Sequence, residues 1–482
     1  MGRMAWRWTR RLGGTLAIVA ITLLVGRAVQ SQRGPALQPW HIFVPADLHA
    51  DELDQLDWNG YLAAEARVFA SVRSEVTDRL EEQDRTPDDR YFEGSPVYPG
   101  RFAQDWNQSY VLEPAGPPAG AVVLLHGLTD SPYSLRHVAR RYRDRGWVAI
   151  GLRTPAHGTV PAALTDTAWE DWLAATRLAI REARRRVGPN APLHLVGFSA
   201  GGAFALKYAM DAIEDPHLTR PDRLILISPM IGINAFARFA GLAALPALLP
   251  AFAKAAWLGV VPEFNPFKYN SFPVNAARQA HRLTVALQDQ VQRLSRDDRL
   301  KGLAPVQTFQ STMDFTVSSR AVVTGLYAQL PANGSELVLF DLNRNTKFGP
   351  LLRGIFAAAP ERMVPDAPRP WRLTVITNSA DDAEVKERTV PAGETTEQVR
   401  GLGIAYPRDI YSLSHVALPF PPSDALYGSQ PDPSEDFGVN LGTIAARGEV
   451  GVLVISLDSL ARISWNPFFP YMIGRIDEGI AR

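Results

Sequence analysis

The run Gly197-Phe198-Ser199-Ala200-Gly201 sets a serine between glycines two positions to either side, directly after Leu193-His-Leu-Val196 and before Gly202-Ala-Phe-Ala-Leu-Lys-Tyr-Ala. An apolar strand that turns sharply into a helix leaves the serine hydroxyl exposed at the bend, and the glycines let neighbouring backbone approach. This is the setting of a nucleophile. A nucleophilic serine needs a base, and the chain has nine histidines. In a sheet of this kind the acid and then the histidine follow the serine in chain order. Asp314, in Phe309-Gln-Ser-Thr-Met-Asp314, stands just beyond a strand-like run, and His415, in Tyr411-Ser-Leu-Ser-His415, is the one histidine downstream of it. The chemistry predicted is acyl transfer: His415 takes the Ser199 proton, while Asp314 orients the imidazole and stabilises its cation. Asp341, after the next strand, is the reserve acid.

The oxyanion formed by serine attack must meet preorganised backbone donors. His126-Gly127-Leu128 ends the first strand in the right place, and Ala200 opens the helix after the serine. The N–H groups of Leu128 and Ala200 are therefore the expected oxyanion hole. His126 is expected to hold its loop by a hydrogen bond rather than carry a proton, and His157, in Pro155-Ala-His157-Gly158, reads as loop architecture too.

Short apolar runs alternate with helical patterns from about residue 109: strands at Ala121–Leu125, Trp147–Leu152, Pro192–Val196 and Arg223–Ile227, with helices at Ser131–Arg145, Trp169–Arg186 and after Gly201. Pro305–Gln310, a helix over Val317–Leu330, and Glu336–Phe340 continue the alternation. Such succession predicts an α/β fold with a mainly parallel sheet covered by helices on both faces. The 50 basic residues cancel the 50 acidic ones, which gives no global field for gripping nucleic acid. With no cysteine there is no disulfide, thiolate metal site or cysteine nucleophile.

Upstream, Arg3, Arg7, Arg10 and Arg11 precede the uncharged run Leu12–Gly26, and Arg27 closes it. Its 15 residues fall short of the roughly 17 to 25 that span a bilayer, but Arg27 can snorkel and extend the span to Val29. An uncleaved membrane anchor over residues 1–30 is preferred to a cleaved signal peptide. The arginines keep the N-terminus cytoplasmic and send the rest outward, to the periplasmic side in a bacterium, with secretion after cleavage as the alternative. Residues 31–104 form a membrane-proximal segment whose apolar positions Trp58, Leu62, Ala66, Phe69, Val72, Val76 and Leu80 step by three and four, with Glu65 and Arg73 between them. That spacing predicts one amphipathic helix lying on the main domain or on the membrane.

Leu125-His-Gly-Leu-Thr129, Thr154-Pro-Ala-His-Gly158, the serine elbow and the ordered Asp314 and His415 resemble the α/β-hydrolase superfamily, closest to its serine aminopeptidase-like group of monoacylglycerol lipases, lysophospholipases and carboxylesterases. The resemblance covers residues 105–345 and the His415 loop. It implies an eight-stranded-type sheet, no cofactor, no metal, and an acyl-enzyme released by water. More than 70 residues separate Phe340 from His415, and the strand-like run Trp371–Ile376 lies between them, which leaves the sheet topology open. The hydrolase domain is placed at 105–482, with a lid insertion at 231–299. From Ala235 to Val261 the only charges are Arg238 and Lys254, as suits a lid that lines an apolar acyl pocket or touches lipid, although helices simply packed on the sheet would read the same way. The substrate expected is a small ester or lipid-like molecule. A peptidase on the same triad, for which Glu263 is the clearest carboxylate to receive an ammonium, and a non-catalytic envelope protein are the alternatives. No oligomeric state follows from the sequence.

Overall fold

The computed structural model describes residues 2–232, 244–314, 316–345, 359–407, 410–442 and 464–480. Twelve strands lie among them: β1 (Tyr110–Leu112), β2 (Ala121–Leu125), β3 (Val148–Leu152), β4 (Leu193–Phe198), β5 (Arg223–Ile227), β6 (Trp257–Gly259), β7 (Phe272–Pro273), β8 (Val306–Ser311), β9 (Glu336–Phe340), β10 (Arg372–Thr377), β11 (Glu384–Val390) and β12 (Gln398–Ala405). Ten of these form the main sheet in the order β1-β3-β2-β4-β5-β8-β9-β10-β11-β12, and β6 and β7 pair separately. From β3 to β10 every neighbouring pair is parallel, while β1, β11 and β12 pair antiparallel.

Successive strand residues point to opposite faces, and each face has its own core. Val123, Leu125, Ile150 and Leu195 join the helices Trp169–Val187 and Ala200–Glu214 on one side. Val122, Leu124, Ala149 and Val196 join the helices Arg136–Asp144 and Phe469–Ile480 on the other. Burial on both faces is why these strands read as unbroken apolar runs.

The sheet is larger than the eight strands that the resemblance implies. The run expected at Trp371–Ile376 is β10, parallel to β9, and the β11–β12 pair extends that edge further. The chain then turns back across the C-terminal ends of the strands: Asn343 N–H donates to Tyr411 O at 2.9 Å, and Ser311 Oγ donates to Leu413 O at 2.8 Å. The long stretch between Phe340 and His415 is thus absorbed at the sheet edge, and its end returns beside β8. Within Val317–Leu330 the expected continuous helix is instead a short α turn, a π turn over Val322–Leu326 and a 3₁₀ turn, with Gly325 inside the wide turn.

Residues 31–104 pack into the core rather than beside it. Trp40, Leu53, Trp58 and Tyr61 belong to the same buried cluster as the strand residues. The helix runs Trp58–Glu75, but its buried face is Trp58, Tyr61, Ala64, Glu65, Val68 and Val72, and Ala66 is exposed. Glu65 turns inward because Arg153, itself fully buried, meets it at 2.9 Å. Side-chain periodicity counts only apolar residues, so a buried ion pair rotates the face away from the one expected.

The N-terminal helix spans Gly2–Ser31, and its part Arg11–Ser31 is long and apolar enough to cross a membrane. Arg27 donates to the backbone oxygens of Trp257 and Ala255. In the expected lid, residues 233–243 lie outside the described residues. The remainder contains 3₁₀ turns over Leu245–Ala256, where Leu248 and Leu249 are exposed, and the helix Val274–Arg296. That helix lies on Ala200–Glu214, with Gln290 Nε2 donating to Asp211 and Glu214 and Arg293 paired with Glu214. This part of the insertion packs as a covering layer.

Candidate active site

β4 ends in the elbow expected from the sequence. Ser199 has φ 54° and ψ −116°, a left-handed conformation costly for a residue with a Cβ, and it is held by three main-chain bonds, Ser199 N–H to Ile227 O at 3.0 Å, and Met230 N–H (2.9 Å) and Gly202 N–H (3.0 Å) to Ser199 O. The glycines are required by contact. A Cβ at Gly197 would lie 2.3 Å from Gly201 O, and one at Gly201 would lie 1.9 Å from Leu125 O. Gly127 faces the serine, since a Cβ there would come within 3.2 Å of Ser199 Cβ.

Asp314 and His415 are 101 positions apart and in contact: His415 Nδ1 and Asp314 Oδ2 are 2.7 Å apart, with the carboxylate fully buried and the imidazole 7% exposed. Asp314 is itself fixed on all sides. Its Oδ1 accepts the N–H groups of Thr316 (2.9 Å) and Val317 (3.0 Å), and its Oδ2 also accepts Gln310 Nε2–H at 3.1 Å. The imidazole stacks on Phe198, the residue before the serine, with ring centroids 5.3 Å apart. Nδ1 is occupied by Asp314, so Nε2 is the nitrogen left to act as base. Among the described residues Ser199 Oγ makes no hydrogen bond; such contacts tighten when substrate arrives. Asp341, the reserve acid, is engaged elsewhere, with Arg344 at 2.8 Å and Thr377 Oγ1 at 2.7 Å.

Of the two expected oxyanion donors, Ala200 follows the serine in the chain, and Leu128 follows Gly127, which faces it. Among the described residues the N–H groups of Leu128 and Ala200 donate to no protein acceptor, as a receptive hole requires. Behind them His126 is a brace. Its Nε2 accepts the Thr154 N–H at 3.1 Å, so Nδ1 carries the proton and donates to Gly127 O at 2.8 Å. Burial, with the neighbouring His157, holds the His126 pKa well below the usual value, which keeps the ring neutral in that tautomer. His157 is likewise buried, with its pKa pushed down to about 4, and its Nδ1 lies 2.9 Å from Pro155 O and 3.0 Å from Thr154 Oγ1. Glu263 is 1% exposed and spends its oxygens on the N–H groups of Asn270 and Ser271, so it is not placed to receive a substrate ammonium.

Phe198, Gln310, Ser311 and Thr154 were not expected at the site. Phe198 occupies the variable position of the elbow, and Gln310 precedes Asp314 by four at the end of β8; only the fold reveals that they hold the imidazole and the carboxylate. No group of three or more potential metal-ligating side chains occurs among the described residues.

A family model described as serine aminopeptidase, S33, matches residues 116–342. The thermostable monoacylglycerol lipase of Bacillus sp. (strain H-257) is 30% identical over 88 residues, which are 18% of this chain and only 34% of that protein's length. Among solved structures, one from work on the metagenome-derived lipolytic enzymes LipS and LipT is 20% identical, covering 49% of this chain and 88% of that one with a TM-score of 0.40. The monoacylglycerol lipase of Paleococcus ferrophilus is 17% identical, covering 48% and 87%, with a TM-score of 0.35. The segment matched by the family model, just under half of the chain, contains the Gly127–Leu128 turn, the Ser199 elbow and the Asp314 end of β8, and the match points to the α/β-hydrolase superfamily.

Proposed function

We propose that this protein is a serine hydrolase that cleaves carboxylic esters with an apolar acyl group, of the monoacylglycerol lipase, lysophospholipase or carboxylesterase type. One observation carries the reading: a buried acid–histidine pair, assembled from distant parts of the chain, stacks on the residue next to a strained, glycine-flanked serine. Ser199 Oγ attacks the ester carbonyl as His415 Nε2 takes its proton. The oxyanion rests on the Leu128 and Ala200 N–H groups, and the same imidazole returns the proton to the leaving alcohol. Water activated by His415 then releases the acid. An ester rather than a peptide is favoured because Glu263 is consumed internally and the segment 245–261 is apolar.

On p-nitrophenyl esters and aminoacyl anilides presented to the purified protein, the esters are expected to turn over faster. Faster anilide cleavage would make it a peptidase instead. In this reading residues 1–30 are a membrane anchor, and the apolar segment 245–261 of the insertion borders the acyl pocket as a lid. A variant lacking residues 1–30 should move from the membrane to the soluble fraction; unchanged membrane association would refute the anchor.

A further inference from the structure

Gly158 and the residues before it form a turn that continues β3, and it is tied down by a residue far outside the hydrolase match. Asp47 Oδ2 accepts from Arg153 Nη1 at 2.7 Å and from the Ala156 N–H at 2.8 Å, and its Oδ1 accepts from Arg153 Nη2 at 3.0 Å. Arg153 is fully buried and also donates to Glu65 Oε1 (2.9 Å) and to His157 O (3.1 Å). Burial alone would raise the Asp47 pKa, but the Arg153 charge and the N–H donors bring it below the usual carboxylate range. Ala156 needs this hold, because its φ of 67° is one that a residue with a Cβ adopts only under constraint.

Two bridges connect the turn to the oxyanion loop: Tyr269, whose OH donates to Ala156 O at 3.1 Å and whose N–H donates to Thr129 O at 2.7 Å, and the ring of His126, which alone reaches Gly127. Thr154 N–H donates to His126 Nε2, and His126 Nδ1–H donates to Gly127 O. The Gly127–Leu128 peptide is planar and trans, so its C=O and N–H point in opposite directions. Fixing Gly127 O on one side fixes the Leu128 N–H on the other.

We propose that Asp47 is a positioning residue of the oxyanion hole, acting through Arg153, the 154–158 turn and His126 to set the direction of the Leu128 N–H. The N-terminal segment is then a working part of the site, although the family match begins at residue 116. This rests on the hydrolase reading above.

The test uses the full chain with p-nitrophenyl butyrate as substrate and a trifluoromethyl ketone as the tetrahedral analogue. Asp54→Asn is the control, since Asp54 ties the same segment to Arg177 on the surface and touches neither the turn nor the loop. Rates are normalised to the serine titrated at completion by a fluorophosphonate. Asp47→Asn is expected to lower kcat about 10- to 100-fold, less than the loss of an oxyanion donor outright, with KM within about threefold and ketone affinity falling in step with kcat/KM. Asp54→Asn should leave all three unchanged. If Asp47→Asn does not fold, Asp47→Glu, which keeps the charge but displaces it by one methylene, carries the same comparison. Kinetics of the Asp47 variant equal to those of Asp54→Asn, in a wild type that labels and turns over, would overturn the role of Asp47 alone. A wild type that neither labels nor turns over would remove the hydrolase reading and this inference with it.

Discussion

Ser199→Ala should abolish fluorophosphonate labelling and lower ester turnover by a factor on the order of 10⁶, to the background that binding and the oxyanion hole sustain alone. The substitution removes one hydroxyl oxygen and keeps the Cβ, so the strained φ of 54° and the 3.2 Å approach expected of a Gly127 Cβ are the same in both proteins. No hydrogen bond of Ser199 Oγ is lost among the described residues. The thermal midpoint should therefore stay within a few degrees, which separates loss of the nucleophile from loss of the fold. A variant that labels like wild type would show that another side chain reacts, and the proposed mechanism would fall.

Asp314→Asn is expected to lower kcat by a factor on the order of 10⁴ with little change in KM, and the geometry says why a change of one atom is so damaging. Oδ1 faces two main-chain N–H donors, Thr316 and Val317, so in the variant the amide oxygen must stay there. The amide NH₂ then takes the Oδ2 position, where it meets Gln310 Nε2–H and His415 Nδ1. A donor now faces Nδ1, and the imidazole can satisfy it only by moving its proton to Nε2. That is the nitrogen that must accept the serine proton. Steady-state kinetics beside Asp341→Asn make the comparison: Asp341 is paired with Arg344 and Thr377, and its replacement should leave kcat within a few-fold. The opposite pattern would move the acid to Asp341.

Much of this arrangement could be read locally. The ranges of β5 and β9 coincide with Arg223–Ile227 and Glu336–Phe340 as read from the chain, because after a charged first residue each is an unbroken apolar run, as burial on both faces favours. The elbow was legible because the strand-to-helix turn carries its glycines within five residues, although only Gly197 is demanded by a local contact, with Gly201 O, whereas Gly201 is demanded by Leu125 O on β2. Chain order then narrowed the acid and the histidine to Asp314 and His415, though it left open how the strand-like run at Trp371–Ile376 would pair and did not foresee the edge strands β11 and β12.

Local residue patterns carry the order of the central strands and of the helices between them, the serine turn and the short set of groups that could serve it. Every choice that depends on a partner far along the chain waits for the fold. Glu65 and Asp47 look like solvent-facing charges until Arg153, 88 and 106 positions away, is found buried between them. Asp314 stands ahead of its reserve, Asp341, by chain position alone until the one meets an imidazole and the other a guanidinium. The physical reason is the range of the forces involved. Backbone sterics and hydrophobic alternation act over a few residues and leave a periodic trace, whereas desolvated charges are stable only when paired. Their pairing is fixed by where the folded sheet brings them, not by their spacing in the chain.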